Sequence, residues 1–283
     1  LRTEAKTLLD NAQNKLDKAE SVKNEIIDQA KKDSDRLIIS LNDKFHKSSD
    51  LKKNLAENKI NQMKEGAIKE IKDAFLKYQV LFFQGQKEIL PQKQIDFGKR
   101  FGQLHSHPAA PTMEDFPEVF EIHAHKDSKI ANGEFWHSDV SCDNEPPLGT
   151  MLQLHILPES GGDTMFSNMY AAYDALTEEY KNILDGLVAI HESEHIYKGR
   201  YNDRGVAEDK ILTPTAKHPL VRTHPETGKK AIYVNRTFTT GIEGMSKQES
   251  LSILHFLFEH CEHINFQIRY RWALNDMAFW DNR

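Results

Sequence analysis

Phe135-Trp136-His137-Ser138-Asp139-Val140 is the stretch of this 283-residue chain from which the fold and the chemistry are read. A His and an Asp two residues apart, in a β-prone run, project from one face of a strand. One imidazole and one carboxylate are thereby offered to a single metal ion. They are two-thirds of a 2-His-1-carboxylate set, the arrangement that holds non-haem Fe(II) with open positions. The sequence stops at Trp280-Asp281-Asn282-Arg283, and no His follows there to close the set. The Zn alternative stays open at this point, although a Zn site usually takes three protein ligands.

Composition divides the chain in two. Residues 1–74 hold 16 Lys/Arg and 14 Asp/Glu, a balance of +2, whereas residues 75–283 hold 21 and 29, a balance of −8. All ten prolines lie at Pro91 or later, all three tryptophans at Trp136 or later, and Gly66 is the only glycine before Gly85. Neither part is basic enough for nucleic acid. Two cysteines, Cys142 and Cys261, make no disulfide framework and point to a reducing, cytoplasmic setting. No run approaches a membrane span, and no signal peptide is visible. The chain opens on Leu1 and closes inside an apparent motif, so it is expected to be a fragment at both ends.

Residues 1–65 lack Gly and Pro and carry small or apolar residues at Leu9, Ala12, Leu16, Ala19, Ile26, Ala30 and Leu37. That spacing draws a narrow stripe on one helical face, too thin for a globular core. It suits a long helix or a coiled coil, with self-association through residues 1–70. The run Glu4–Glu20, continued through Asp28–Arg36, resembles the cytosolic stalk of a bacterial ATP synthase b subunit.

Beyond Ala74 the texture becomes β-rich. Tyr78–Phe83, Val119–His123, Thr150–Ile156, Val221–Thr223 and Ala231–Val234 are expected strands. Pro91–Phe101, Ala171–Leu187 and Lys247–His260 are expected helices. Short strands broken by Gly and Pro indicate a sandwich or barrel with added helices.

Several pieces fall in a distinctive order. They are Phe101-Gly-Gln-Leu-His-Ser-His-Pro108, Trp136-His-Ser-Asp-Val140, Pro146-Pro-Leu-Gly149, Gly161-Gly-Asp-Thr164, His218-Pro-Leu-Val-Arg-Thr-His-Pro225, Tyr233-Val-Asn235 with Phe238-Thr-Thr240, and Phe279-Trp-Asp-Asn-Arg283. Together, over residues 71–283, they resemble the TauD/TfdA family of Fe(II)/2-oxoglutarate-dependent dioxygenases. The resemblance implies a double-stranded β-helix, or jelly roll, behind the N-terminal helix. It makes His137 and Asp139 the catalytic metal ligands. It sets Thr164 and Leu152 beside 2-oxoglutarate, and His107, Val140 and Phe238 against a small-molecule substrate. It sets a third ligand, a His, about four residues past Arg283 and a 2-oxoglutarate Arg further on, so this sequence as written is expected to be inactive. Fe(II), 2-oxoglutarate and O₂ are the implied cofactors. Taurine-specific members carry a Tyr and an Asn where this chain has Ala110 and Gly133. That points away from taurine and toward an alkyl sulfate or another sulfonate.

Cys142 reads as a small filler, and His123, His125, His191, His195 and His218 as surface or core residues. Three functions follow from the sequence: a dioxygenase, a structural stalk or assembly subunit, and a Zn-dependent hydrolase.

Overall fold

The computed structural model describes residues 2–123, 133–202, 206, 209 and 211–283, with residues 2–10 and 12 described by their backbone alone. His125 lies outside these residues. The chain divides into two units, Leu1–Ala67 and Ile68–Arg283.

The first unit is one helix. Strong helix formers, without Gly or Pro before Gly66, carry α1 from Arg2 to Tyr78. Side-chain hydrogen bonds at helical spacing, Gln13 to Asp17 and Gln29 to Asp33, decorate it. Its apolar stripe faces solvent: Leu16, Ile26 and Leu37 are more than 60% exposed.

In the second unit the end of α1 turns amphipathic, and Ile68, Ile71 and Phe75 face a core. The helix stops where Gln79 takes a left-handed conformation (φ 62°), its N–H returning to the Phe75 carbonyl at 2.8 Å. Ten short strands and five further α-helices follow among the described residues. Strands β1 (Val80–Phe83), β10 (Met277–Asp281) and β2 (Gly149–Gln153) form an antiparallel sheet in the order β1-β10-β2.

Strand periodicity gives this sheet two faces. Met151, Phe279 and Leu81 line one, where Phe75 stacks on Phe279 at 4.1 Å and Phe101 packs at 4.9 Å. Helix α2 (Pro91–Gly98), with proline in its first turn, adds Phe97 to that cluster. Thr150, Leu152, Phe82 and Trp280 share the other face. A second pair, β3 (Thr164–Ser167) with β9 (Gln267–Tyr270), lies against it. Phe166 meets the Trp280 ring at 5.5 Å, and Tyr270 stacks on Phe82 at 3.8 Å.

The largest core lies around β4 (Val188–Glu192), β5 (Thr215–Pro219) and β8 (Thr239–Ile242), in the order β5-β4-β8. Short helices α3 (Met169–Asp174) and α4 (Glu178–Leu184) and the long α6 (Lys247–Cys261) pack against it, and Leu220, Ile232 and Val234 join the same core. A capping box between Ser246 and Glu249 starts α6. Helix α5 (Glu194–Tyr197) and a hairpin of β6 (Val221–Thr223) and β7 (Lys230–Ile232) complete the unit.

Three expectations need correction. Val119–His123 is not a strand. Ala171–Leu187 is not one helix, because Thr177 takes an extended conformation and caps α4 through its side chain. The His137–Asp139 stretch is not a strand either. It is irregular backbone ending in a turn, closed by Asp143 N–H on the Val140 carbonyl at 2.9 Å, with Val140 at φ 51°.

Candidate metal and substrate site

His137 and Asp139 converge without a strand to align them. Their Nε2 and Oδ1 atoms lie 3.3 Å apart. Each side chain's other polar atom is held elsewhere. His137 Nδ1 donates to the Phe135 carbonyl at 2.7 Å, which leaves Nε2 as the atom turned toward Asp139. Asp139 Oδ2 accepts from Thr150 Oγ1 at 2.6 Å and from Trp280 Nε1 at 3.1 Å, with Asn282 Nδ2 at 3.5 Å. Burial alone would raise the Asp139 pKa, but His137 and these donors outweigh it and hold the carboxyl below its ordinary range. Burial likewise works against charge on His137, and the Asp139 carboxylate raises its pKa in spite of it.

The loop carrying the pair is stitched to the end of β10. Ser138 Oγ donates to the Asn282 carbonyl at 3.0 Å, and Thr237 Oγ1 donates to the Trp136 carbonyl at 3.0 Å. Val140, β-branched and buried, holds the left-handed conformation that ends the stretch. Strain of this kind costs on the order of 1–3 kcal/mol and gathers at functional sites.

The donor set fits a divalent metal. Two neighbouring ligands at about 2.1 Å from an octahedral ion are separated by about 3 Å, close to the gap between Nε2 and Oδ1. Imidazole with carboxylate is borderline-to-hard chemistry suited to Fe(II). Among the described residues no group of three His, Cys, Asp or Glu converges as a metal cage.

His107, Val140 and Phe238 gather in one apolar cluster with Tyr197. Val140 and Phe238 belong to its buried core with Ala109, Ala110, Cys142, Tyr197 and Tyr201. The His107 ring lies 5.2 Å from Tyr197 and 5.3 Å from Phe120. His107 Nδ1 accepts the N–H groups of Ala109 and Ala110 at 3.1 and 2.9 Å, so its proton sits on Nε2. Burial depresses its pKa to about 4, against a smaller opposing pull from Asp139.

Leu152 shares its sheet face with Thr150 and Trp280, two of the three residues that hold Asp139. Thr164 lies on β3, two residues before Phe166 and on the same side, and accepts from Trp272 Nε1 at 2.9 Å. Cys142 is wholly buried with Sγ 3.7 Å from the Tyr197 hydroxyl, as suits a filler. His191 and His218 are core residues; His195 is exposed.

Thr150, Trp280 and Asn282, which hold Asp139, escaped the sequence reading, as did Tyr197. The first three sit beside or within motifs already noticed, after Pro146–Gly149 and inside Phe279–Arg283. Their shared target becomes visible only when β2 and β10 pair.

No helix among the described residues is long and apolar enough to cross a membrane. The profile of the taurine catabolism dioxygenase TauD, TfdA family matches residues 47–283. It begins inside the segment assigned to a stalk, and the ATP synthase resemblance of residues 1–70 finds no support. The chain is 32% identical over 230 residues to the alkylsulfatase of Acinetobacter baylyi, covering 79% of this chain and 71% of that protein. It is 31% identical over 223 residues to the alpha-ketoglutarate-dependent sulfate ester dioxygenase of Pseudomonas putida, covering 76% and 73%. It spans only 54% of the length of a Schizosaccharomyces pombe relative to which it is 33% identical. Among solved structures, AAD-2 in complex with Mn(II) and N-oxalylglycine superposes with a TM-score of 0.60 at 30% identity, covering 77% of each chain. A profile spanning most of the sequence, and relatives sharing about a third of their residues with it, settle the kinship: this chain belongs to the TauD/TfdA family.

Proposed function

We propose that the protein is an Fe(II)- and 2-oxoglutarate-dependent dioxygenase that hydroxylates a small organic substrate bearing a sulfate ester or sulfonate group. The observation that carries it is the meeting of His137 Nε2 and Asp139 Oδ1, with the remaining polar atoms of both residues tied back. When bound, the iron would supply the oxidation of a substrate C–H coupled to decarboxylation of 2-oxoglutarate. The residues of the chain do the rest. His137 and Asp139 hold the metal, and Thr150, Trp280 and Asn282 fix the carboxylate's orientation. Thr164 and Leu152 border the co-substrate. His107 offers its Nε2–H to the anionic head of the substrate, while Val140 and Phe238 wall off water from the carbon to be oxidised.

The names of the bacterial relatives favour a sulfate ester over taurine. Ala110, buried in the His107 cluster, supplies no side-chain donor there. The paired sheets are assigned to a double-stranded β-helix, on the strength of the structural neighbours. Residues 1–67 are proposed to self-associate through the exposed stripe, and the two free buried cysteines favour a reducing, cytoplasmic compartment.

The test is anaerobic titration with Fe(II) and 2-oxoglutarate, read by the visible metal-to-ligand charge-transfer band. It is run on residues 1–283 and on the product of the whole reading frame, because the family resemblance sets a further ligand after Arg283. The band is expected in the longer product and lost in His137→Ala and Asp139→Ala. No band in either chain, or a band indifferent to both substitutions, overturns the assignment.

A further inference from the structure

Two segments of the second unit are tied together twice. Residues 136–141 carry His137, Asp139 and Val140, and residues 235–239 carry Phe238. At one end of the first segment, Thr237 Oγ1 donates to the Trp136 carbonyl at 3.0 Å. At its other end, Asn235 Nδ2 donates to Ser141 Oγ at 3.0 Å. The second tie is buried, with Ser141 0% and Asn235 7% exposed.

The Asn235 amide serves both segments. Its Oδ1 accepts the Phe238 N–H at 2.8 Å while its Nδ2 reaches Ser141. One planar group thereby relates the backbone of Phe238 to the hydroxyl next to Val140. Ser141 Oγ lies 3.0 Å from His191 Nδ1. Burial keeps His191 neutral, its pKa pushed down to about 3, and its ring hydrogen-bonds the Tyr233 backbone. A neutral imidazole has one proton, so Nδ1 accepts and the Ser141 hydroxyl donates. The second segment is closed on itself, because Thr239 Oγ1 accepts the Asn235 N–H and the Thr239 N–H returns to the Asn235 carbonyl, each at 3.0 Å. A buried polar network satisfied in this way specifies one arrangement. The first segment needs such a hold, since Val140 at φ 51° is a conformation that a β-branched residue keeps only when its surroundings impose it.

We propose that Ser141, Asn235 and Thr237 are positioning residues, a two-point clamp that sets Val140 and Phe238 in fixed relation to His137 and Asp139. The inference rests on the substrate roles proposed for Val140 and Phe238. The clamp acts on substrate fit more than on metal affinity, because the Asp139 carboxylate is oriented separately by Thr150, Trp280 and Asn282. Two ties at opposite ends hold a register that either one alone holds only in part. Losing both therefore costs more than the two losses combined.

The test compares Ser141→Ala, Thr237→Val and the double variant, with folding checked by circular dichroism. Each substitution deletes a hydroxyl with little change of shape. In the product of the whole reading frame, supplied with Fe(II), 2-oxoglutarate and hexyl sulfate, each single variant is expected to raise KM for hexyl sulfate by about 3–10-fold, with a smaller change in kcat. The double variant is expected to exceed the product of the two by at least about threefold. Thr237→Ser keeps the first tie and the original KM. In metal-free residues 1–283, amide exchange followed by NMR is expected to quicken at Phe238 and Asp143 together, by at least about tenfold in the double variant. If Ser141→Ala does not fold, Thr237→Val decides alone: quickened exchange at both amides supports the clamp, and unchanged exchange overturns it. Exchange that quickens at one amide only, or KM effects that merely multiply, also overturns the proposal. An original enzyme inert toward alkyl sulfates defeats the substrate reading instead, and the exchange pattern then decides the clamp.

Discussion

At the scale of single residues, Asp139 has divided labour between its two oxygens. One meets His137 and the other collects donors from β2 and from the end of β10. Orienting partners of this kind are typically worth about 10–100-fold in metal affinity. Thr150→Val keeps the strand and its shape but deletes the 2.6 Å hydrogen bond. It is expected to weaken Fe(II) binding by about tenfold while leaving the unfolding midpoint nearly unchanged, as read by metal titration beside urea denaturation. His107 gives a second expectation. Burial lowers its pKa from 6.5 to about 4, so the unfolded chain takes up a proton first as pH falls. The stability it contributes is complete above pH 6.5 and is lost progressively down to about pH 4. An NMR titration should show the His107 ring still neutral at the pH where exposed histidines are half protonated. His107→Gln should make the loss of stability across that window shallower, the other buried histidines still contributing to it.

At the scale of elements, the site depends on how closely β2 approaches β10. Gly149 opens β2 opposite Asp281, and a Cβ there would lie 2.5 Å from the Trp280 carbonyl oxygen and 3.0 Å from the Phe75 ring. Backbone cannot step aside as a flexible side chain would. Gly149→Ala is therefore expected to cost about 1–3 kcal/mol in urea unfolding. It should also impair Fe(II) binding, since Trp280 donates to Asp139. The same sheet explains why one strand carries two jobs. Phe279 points into the core under Phe75, and Trp280 points to the site.

At the scale of the whole molecule, the two units obey different physics. Residue 11 and residues 13–67 are all exposed, so the first unit has no described core of its own. A lone helix of this kind melts gradually, whereas an associated one melts cooperatively with a midpoint that rises with concentration. Circular dichroism of the isolated residues 1–67 at 222 nm is expected to show such a concentration-dependent melt. A broad melt that does not move over a hundredfold dilution would reject self-association. The family match, beginning at residue 47, crosses the boundary between the units, so the change of texture near Ala74 marks a change of packing rather than the edge of the family.

The sequence alone carried the long helix, since a run without Gly or Pro before Gly66 offers nothing to stop it. It carried the helix Lys247–Cys261 almost to the residue, because its capping box and apolar period are local signals. It also carried the family, because ordered motifs survive where single residues would mislead, and it marked His137 and Asp139 by type and spacing. The reason it gave for their meeting was wrong. A strand would have aligned them, but an irregular loop does so, with Val140 in a left-handed conformation imposed by its surroundings. Only tertiary structure brought Thr150, Trp280 and Asn282 to one carboxylate oxygen, across more than 130 residues of chain for the latter two. Only tertiary structure set the Arg222 guanidinium over the Tyr233 ring, 4.7 Å from its centre. Local composition fixes which elements form because propensities and caps act within a few residues. Which side chains meet depends on strand pairing between distant segments, and no local pattern encodes that register.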